Sequence, residues 1–155
     1  MVSIEKEKTV ALSGHRILPK TFSYDRLDKL LYYLVKDGYN TFLCGMAIGF
    51  DTEAFKSLEK LRKVNDIRII ACVPCACQDN KFNAKQKEEY QRMIKSADHV
   101  IVLQEEYDEF CMKKRNCFMV DNSSVLLCYL TKSSGGTYQT VSYAKENKKD
   151  ILYVK

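Results

Sequence analysis

Apolar positions along the chain alternate between short β-rich runs and longer segments of helical periodicity. The short runs predict strands at Thr9–Ser13, Thr41–Cys44, Ile67–Val73, His99–Leu103, Val125–Leu130 and Ile151–Val154. Each run is almost continuously apolar, which is typical of a strand that is covered on both faces of a sheet. We therefore expect strands that are buried between two layers of helices.

Helical spacing of apolar residues separates most of these runs. It predicts helices at Tyr24–Asp37, Asp51–Val64, Lys85–Ser96 and Thr137–Asn147. Gly38 follows the first of them, where glycine commonly ends a helix. Strands that alternate with helices favour a doubly wound, mostly parallel α/β sheet with helices on both faces. The carboxyl ends of its strands are then the expected place for a binding crevice.

Length, charge and hydropathy restrict the function classes. The 155 residues suit one domain, with 46% hydrophobic and 29% charged residues and a formal charge of +5. The sequence contains no run of about 18 apolar residues, so it predicts no membrane span. The charged segment Met1–Thr9 lacks the apolar stretch of an export signal. The positive excess is spread over both halves, so we expect an anionic small molecule as partner and regard nucleic acid as unlikely.

Seven cysteines raise the question of a metal site. Cys72, Cys75 and Cys77 form a C-x-x-C-x-C run, and a zinc site would need further ligands from Cys111, Cys117 or the histidines. Those spacings match no common zinc motif, so we expect no metal and no cofactor. Free, mostly buried thiols are instead typical of a reduced, cytoplasmic protein.

Glycine is scarce, and its positions indicate a ligand site. Five of the six glycines follow predicted strands: Gly14, Gly45, Gly49, Gly135 and Gly136. Any one of these could simply make a tight turn between strand and helix. Three such loops at one sheet edge, each before a helical segment, favour a phosphate-bearing ligand, because glycine allows close approach and helix N-terminal amides attract anions.

Polar residues in the first two loops add candidate contacts. Ser13, His15 and Arg16 belong to the first loop, and the Arg16 guanidinium suits a phosphate or carboxylate. Asp51 ends the second loop, where we expect it to cap the helix, although it could bind ribose hydroxyls. Glu53 lies in the first helical turn and is either a complement to the helix dipole or a catalytic carboxylate.

Later in the chain, Arg115 and Asn116 suit a second grip on phosphate or base, and Ser133–Thr137 resembles a hydroxyl-rich phosphate nest. No Gly-Lys-Ser/Thr follows the second loop, and no G-x-G-x-x-G motif is complete. An ordinary kinase, NTPase or dinucleotide oxidoreductase is therefore disfavoured.

Taken together, these motifs resemble the YpsA/YspA-like family of the SLOG superfamily, which groups the DNA-processing protein DprA with the LOG proteins. The resemblance rests on Ser13-Gly14-His15-Arg16, Gly45-Met46-Ala47-Ile48-Gly49-Phe50-Asp51, Pro74-Cys75 with Gln78, Tyr90, Ala97-Asp98, Cys111-Met112, Arg115-Asn116, Met119-Val120-Asp121, Gly135-Gly136-Thr137 and Tyr143-Ala144. It implies a single Rossmann-like domain over residues 1–155 and makes a homo-oligomer reasonable.

The resemblance also implies a site for a nucleotide or an ADP-ribose-like ligand. The predicted binding residues are Ser13, Gly14, His15, Arg16, Gly45, Met46, Ala47, Gly49, Asp51, Arg115, Asn116, Asp121, Gly135, Gly136 and Thr137. LOG proteins cleave nucleotide N-glycosidic bonds with a P-G-G-x-G-T-x-x-E motif, from which this chain departs, with Thr140 at the glutamate position. Such hydrolysis needs a carboxylate, which leaves Glu53 or Asp51 as catalytic candidates. Binding of single-stranded nucleic acid, as in DprA, is a further alternative.

Overall fold

The computed structural model describes residues 2–155 and contains one six-stranded parallel sheet. The strands are β1 Thr9–Gly14, β2 Thr41–Cys44, β3 Arg68–Val73, β4 His99–Val102, β5 Val125–Tyr129 and β6 Asp150–Tyr153. Their order across the sheet is β4-β3-β2-β1-β5-β6, and every neighbouring pair is parallel. All six agree with the predicted strands to within one or two residues.

Five α-helices connect the strands, after a short 3₁₀ turn at Lys6–Lys8. They are α1 Tyr24–Lys36, α2 Phe50–Arg62, α3 Ala84–Ser96, α4 Cys111–Asp121 and α5 Gly136–Glu146. The apolar periodicity predicts four of them and misses α4. The buried face of α4 contains Cys111, Arg115, Met119 and Val120. A buried arginine therefore occupies a position where the helical pattern calls for an apolar residue, which weakens the periodic signal.

The helices cover both faces of the sheet, as the sequence predicts. On one face, residues of α1, α2 and α3 such as Leu31, Phe55 and Met93 pack against the sheet in the larger core cluster. On the other face, Met119 of α4 and Val141 of α5 belong to a second cluster. The continuous apolar pattern of β1, β2, β3 and β5 is explained by this arrangement, since their alternate side chains enter different clusters. The edge strand β4 differs from the expectation of burial on both faces, because Val100 and Val102 are 41% and 46% exposed.

Local signals define several helix ends. The Ser23 hydroxyl accepts a hydrogen bond of 3.0 Å from the amide of Arg26 at the start of α1. Gly38, two residues after α1 ends, has a φ of +102°, which favours glycine. Asn83 and Gln86 form a capping box at the start of α3. Within residues 2–155, no helix has the length and apolar character needed to cross a membrane.

The strand order places the crevice between β1 and β5. From β1 the chain runs outward through β2, β3 and β4, and it then returns to add β5 on the other side of β1. Ser13 pairs with Cys128 and Gly14 with Tyr129 at the carboxyl ends of these two strands. The loops after β1 and β5 lead to helices on opposite faces, and this divergence opens a space for a ligand.

Candidate ligand-binding site

A cavity of about 340 Å³ lies at the carboxyl ends of β1, β2 and β5. We call it the glycine-loop cavity because three glycine-containing loops form its walls. Its lining residues are Leu12, Ser13, Gly14, His15, Arg16, Ile17, Gly45, Ala47, Asp51, Met112, Arg115, Asn116, Lys132, Ser134, Gly135, Gly136 and Thr137. Twelve of the fifteen predicted binding residues are in this set. The fold therefore brings together three loops that lie between residues 13 and 137 of the chain.

Asp51 contributes a buried carboxylate to the cavity. Its side chain is in the first turn of α2, is 5% exposed, and accepts a hydrogen bond of 3.1 Å at Oδ2 from the amide of Ala47. The other oxygen, Oδ1, is buried and has no hydrogen-bond partner among the described residues. Burial raises the pKa of Asp51 to about 6, although the charge of Arg115 and the Ala47 amide oppose the increase.

The expectation that Asp51 caps α2 is therefore wrong. The helix begins one residue earlier, at Phe50, and the residue at the N-cap is Gly49, which offers no side chain. The amide of Phe50 instead donates to the carbonyl oxygen of His15 at 3.0 Å. The Asp51 carboxylate instead folds back on its own loop, where it accepts from the Ala47 amide, and Asp51 lines the cavity.

Arg115 enters the cavity from α4 with a largely buried guanidinium. Its Nη1 donates to the carbonyl oxygen of Gly45, and its Nε donates to Oδ1 of Asn116 at 2.7 Å. Burial lowers the pKa of Arg115, and the nearby Asp51 carboxylate opposes the decrease. The Arg115 guanidinium, predicted from the sequence to bind phosphate or base, thus uses one of its donors to hold the second loop in place.

The carbonyl oxygen of Gly45 is the centre of a buried polar network. It accepts a second hydrogen bond, of 2.9 Å, from Nε2 of Gln78. The Oε1 atom of Gln78 in turn accepts a bond of 3.1 Å from the Tyr90 hydroxyl. Sequence reasoning gives Gln78 no role in the site, because no spacing rule links it to a carbonyl 33 residues earlier.

His15 joins the first loop to the last. Its Nε2 accepts a hydrogen bond of 2.9 Å from the amide of Thr131, and its ring packs edge-on against Tyr129. Burial, followed by the charge of Lys132, lowers the pKa of His15. The neutral ring is therefore a positioning element of the cavity wall.

The N-terminus of α5 supplies the most open part of the wall. Gly135 has a φ of +97°, and no side chain caps the helix among the described residues. A Cβ atom built on either Gly135 or Gly136 would meet no other atom within 4 Å. Space is therefore free beside Gly135 and Gly136 at the start of α5, where the first backbone amides of a helix favour an anion.

The other glycines are packed more closely. A Cβ atom on Gly14 would lie 2.3 Å from the Phe50 ring, and one on Gly49 would lie 2.2 Å from the carbonyl oxygen of Arg16. Gly49 also has a φ of +79°. These two glycines let the first loop lie against the start of α2, which brings both loops to the cavity.

Four predicted residues lie outside the glycine-loop cavity. Met46 is 1% exposed and belongs to the larger core cluster, with a φ of +64°. Gly49 and Glu53 line a neighbouring cavity of about 240 Å³. The Oε2 atom of Glu53 lies 3.7 Å from Nζ of Lys56. Asp121 accepts a bond of 2.7 Å from the Tyr143 hydroxyl at the far end of α4. Asp121 lies six positions after Arg115 in the helix, a distance of roughly 9 Å along the axis.

A second cavity, of about 380 Å³, adjoins the first. We call it the thiol cavity, and its lining residues are Arg16, Ala47, Ile48, Cys75, Cys77, Gln78, Asn80, Lys81, Phe82, Tyr107 and Met112. Arg16, Ala47 and Met112 belong to both cavities. The exposed Arg16 side chain thus stands between them and is available to a ligand in either one.

The cysteines are free thiols, and five of the seven are buried. Within residues 2–155, no group of three or more His, Cys, Asp or Glu side chains is arranged to hold a metal ion. The Cys72, Cys75 and Cys77 run is divided by the fold: Cys72 points into the second core cluster, whereas Cys75 and Cys77 line the thiol cavity.

Comparisons with known proteins agree with this architecture. A family model described as the YspA SLOG family matches residues 22–155. An uncharacterized SPbeta prophage-derived protein of Bacillus subtilis (strain 168), YoqJ, is 31% identical over 136 residues, which cover 77% of this chain and 80% of that relative.

Solved structures of DprA share the fold. DprA from Streptococcus pneumoniae superposes with a TM-score of 0.71 at 21% identity, over 95% of this chain and 50% of its own. DprA from Helicobacter pylori gives 0.68 at 18% identity, over 96% of this chain and 65% of its own. This chain therefore spans between half and two thirds of the DprA chains.

The likeness to DprA corrects one expectation. The Helicobacter pylori structure is described as revealing a single-stranded DNA binding mode. The prediction that nucleic acid is an unlikely partner is therefore wrong: it relied on the even spread of charge along the sequence, whereas the shared fold is one on which a relative binds single-stranded DNA. Charge spread along a chain does not report which charges the fold brings to one edge.

Proposed function

This chain belongs to the YspA SLOG family, and from that premise we propose that its glycine-loop cavity binds a nucleotide or a nucleotide-derived ligand such as an ADP-ribose-like molecule. The observation that carries the proposal is Asp51, which lines the cavity with a buried carboxylate whose Oδ1 atom has no hydrogen-bond partner among the described residues. A buried acceptor left unpaired costs free energy, and a ligand that donates a hydrogen bond removes the cost.

The two ends of the cavity suit different parts of such a ligand. The open α5 amides at Gly136 and Thr137 favour a phosphate, with Arg16 and Lys132 as neighbouring cations. Asp51 favours a group with hydroxyl donors, such as a ribose. The thiol cavity, which continues past Arg16 and contains the Phe82 and Tyr107 rings, gives space for a base.

The test is calorimetric titration of the protein with nucleoside mono- and diphosphates and ADP-ribose. We expect binding by at least one of them, weakened by about tenfold or more in Arg16→Ala, because a charge-assisted hydrogen bond contributes about 1.5–3 kcal/mol. Arg26→Ala is the matched control, since Arg26 is an exposed arginine of α1 that lines neither cavity. Absence of heat and of a thermal shift across the panel at millimolar concentration would contradict the proposal.

A second candidate function is cleavage of an N-glycosidic bond, with Asp51 as the catalytic carboxylate. The pKa of about 6 favours it, because a carboxyl group that titrates near neutral pH can both accept and donate a proton. Incubation with nucleoside monophosphates would release free base. Asp51→Asn would retain binding and lose the release of base, whereas Glu53→Gln would retain both, since Glu53 lines a different space.

A third candidate function is binding of single-stranded nucleic acid at the same edge. Tyr107, which lines the thiol cavity, is 65% exposed, and Tyr138 in the first turn of α5 is 42% exposed, so both side chains are available for base stacking. The loop 104–110 also carries four acidic residues, so a phosphate backbone would follow Arg16 and Lys132 instead. Binding of a labelled oligonucleotide should weaken steeply with salt and in Arg16→Ala. A response independent of salt would exclude this candidate.

A further inference from the structure

Two cysteine sulfurs meet in the thiol cavity. The Sγ atoms of Cys75 and Cys77 are 3.2 Å apart, in the turn that follows β3. Among the described residues, no other pair of cysteine sulfurs is in such contact. Cys77 is partly exposed, while Cys75 is 1% exposed behind it. One thiol is thus accessible to a reagent, and the other lies against it.

The surroundings give the two thiols different roles. Burial, and then the adjacent Cys77, raises the pKa of Cys75 to about 11, so that this thiol remains protonated at neutral pH. Cys77 is the accessible one and is the sulfur that a reagent in the cavity meets first. This is the usual division between a thiol that reacts with the oxidant and one that resolves the product.

We propose that Cys75 and Cys77 form a dithiol oxidation site, which closes to an intramolecular disulfide on reaction with a hydroperoxide. The Cys77 sulfur attacks the terminal peroxide oxygen, the O–O bond breaks, and an alcohol, or water in the case of hydrogen peroxide, leaves as Cys77 becomes a sulfenic acid. The Cys75 sulfur then attacks Cys77, its proton goes to the departing hydroxyl, and a second molecule, of water, leaves. The two thiols lose two electrons, and the peroxide gains them.

The turn that carries the dithiol also holds the ligand site. The amide of Gln78 donates to the carbonyl oxygen of Cys75 at 3.2 Å, and the Gln78 side chain holds the Gly45 carbonyl. A disulfide requires the sulfurs to approach to about 2.05 Å, which moves this turn. Oxidation therefore shifts Gln78 and, through it, the second loop. This coupling, unlike the oxidation itself, rests on the proposed function.

The direct test counts thiols. The reduced protein, with seven free thiols, is treated with hydrogen peroxide, blocked with an alkylating agent under denaturing conditions and analysed by mass spectrometry. We expect the oxidised protein to carry two fewer alkyl groups than the reduced protein, and its own mass to be lower by two hydrogen atoms. Peptide mapping should place the link between Cys75 and Cys77. Dithiothreitol should restore both.

Matched variants decide the assignment. Cys117→Ser removes another partly exposed cysteine and should leave the loss of two thiols unchanged. Cys77→Ser and Cys75→Ala should each abolish it; Cys77→Ser changes a partly exposed site, so folding is preserved even if Cys75→Ala fails to fold. A disulfide that persists in Cys77→Ser, a link between two chains, or a wild-type protein that loses no thiol or only that of Cys117 would overturn the proposal.

A second measurement addresses the coupling. For the nucleotide that binds most tightly to the reduced protein, we expect the oxidised form to bind about fivefold or more weakly, and dithiothreitol to reverse the change. Equal affinities would overturn the coupling and leave the oxidation site standing. If no nucleotide binds, the proposed function fails, while the thiol count still decides whether the dithiol exists.

Discussion

His15 and Thr131 join the two loops that form opposite walls of the glycine-loop cavity. The Nε2 atom of His15 accepts a 2.9 Å hydrogen bond from the Thr131 amide, across 116 residues of sequence. Because Nε2 is the acceptor, the neutral ring carries its proton on Nδ1. Protonation of Nε2 would place two donors face to face and break the link between the loops.

The first prediction concerns pH. Burial, and then Lys132, lowers the pKa of His15 below its ordinary value of 6.5. As pH falls, the unfolded chain takes up this proton before the folded protein does. The contribution of His15 to stability is therefore present above about pH 6.5 and is lost as pH decreases toward the lowered pKa of the folded state. Urea unfolding between pH 5 and 8 measures this loss.

The variants for this experiment are the protein's two histidines. His15→Ala should cost about 1 kcal/mol at pH 7.5, since one hydrogen bond is lost, and should show a smaller decline in the free energy of unfolding toward acid. His99→Gln, in β4, should retain the decline of the wild type. An equal decline in His15→Ala and the wild type would contradict the assignment to His15.

The second prediction concerns Asp51. Its pKa is about 6 in the folded protein, above its ordinary value of 3.8. As pH falls, Asp51 is therefore protonated in the folded protein before it is protonated in the unfolded chain. Burial of the Asp51 charge lowers the free energy of unfolding above pH 6, and this destabilisation disappears as pH falls toward 3.8. Asp51→Asn should raise the melting temperature by several degrees at pH 8, and the difference should decrease at pH 4.5. Glu53→Gln, on the same helix, should leave the melting temperature almost unchanged at both pH values.

The third prediction concerns Arg115 and Asp51 together. Arg115→Met removes the donor to the Gly45 carbonyl and the positive charge that most strongly opposes the rise in the Asp51 pKa, so we expect a loss of about 2–4 kcal/mol in the free energy of unfolding. Asp51→Asn in the same chain should recover part of the loss, with a coupling of about 0.5–3 kcal/mol. Additive effects in this double-mutant cycle would show that the two charges do not interact.

The fourth prediction separates binding glycines from packing glycines. Gly136→Ala adds a methyl group to open space at the α5 N-terminus, so the melting temperature should not fall while nucleotide affinity decreases by about tenfold or more. Gly49→Ala should instead destabilise the protein by more than about 2 kcal/mol, because its φ is +79° and the Arg16 carbonyl is in the way. Thermal melts and titrations of both variants measure the difference. A destabilised Gly136→Ala protein with normal affinity would place Gly136 among the packing glycines.

The sequence determined the sheet, four of the five helices and the three loops that meet at its edge. These features follow from apolar periodicity and from glycine, which act over a few residues and can be read locally. Ten of the predicted residues at those loops line one cavity, together with Arg115 and Asn116 of α4, because the carboxyl ends of parallel strands face the same way.

The tertiary structure decided the rest. Asp51 does not cap α2, and its Oδ1 atom has no hydrogen-bond partner among the described residues. Glu53 and Asp121 lie outside the cavity, and Arg115 is buried in a helix that periodicity does not predict. The tertiary structure also brought Cys75 against Cys77 and Gln78 against Gly45. These outcomes depend on which side of a helix or turn faces the sheet and on which long-range partner satisfies each buried polar group. That information lies in the packing and not in the spacing of residues along the chain.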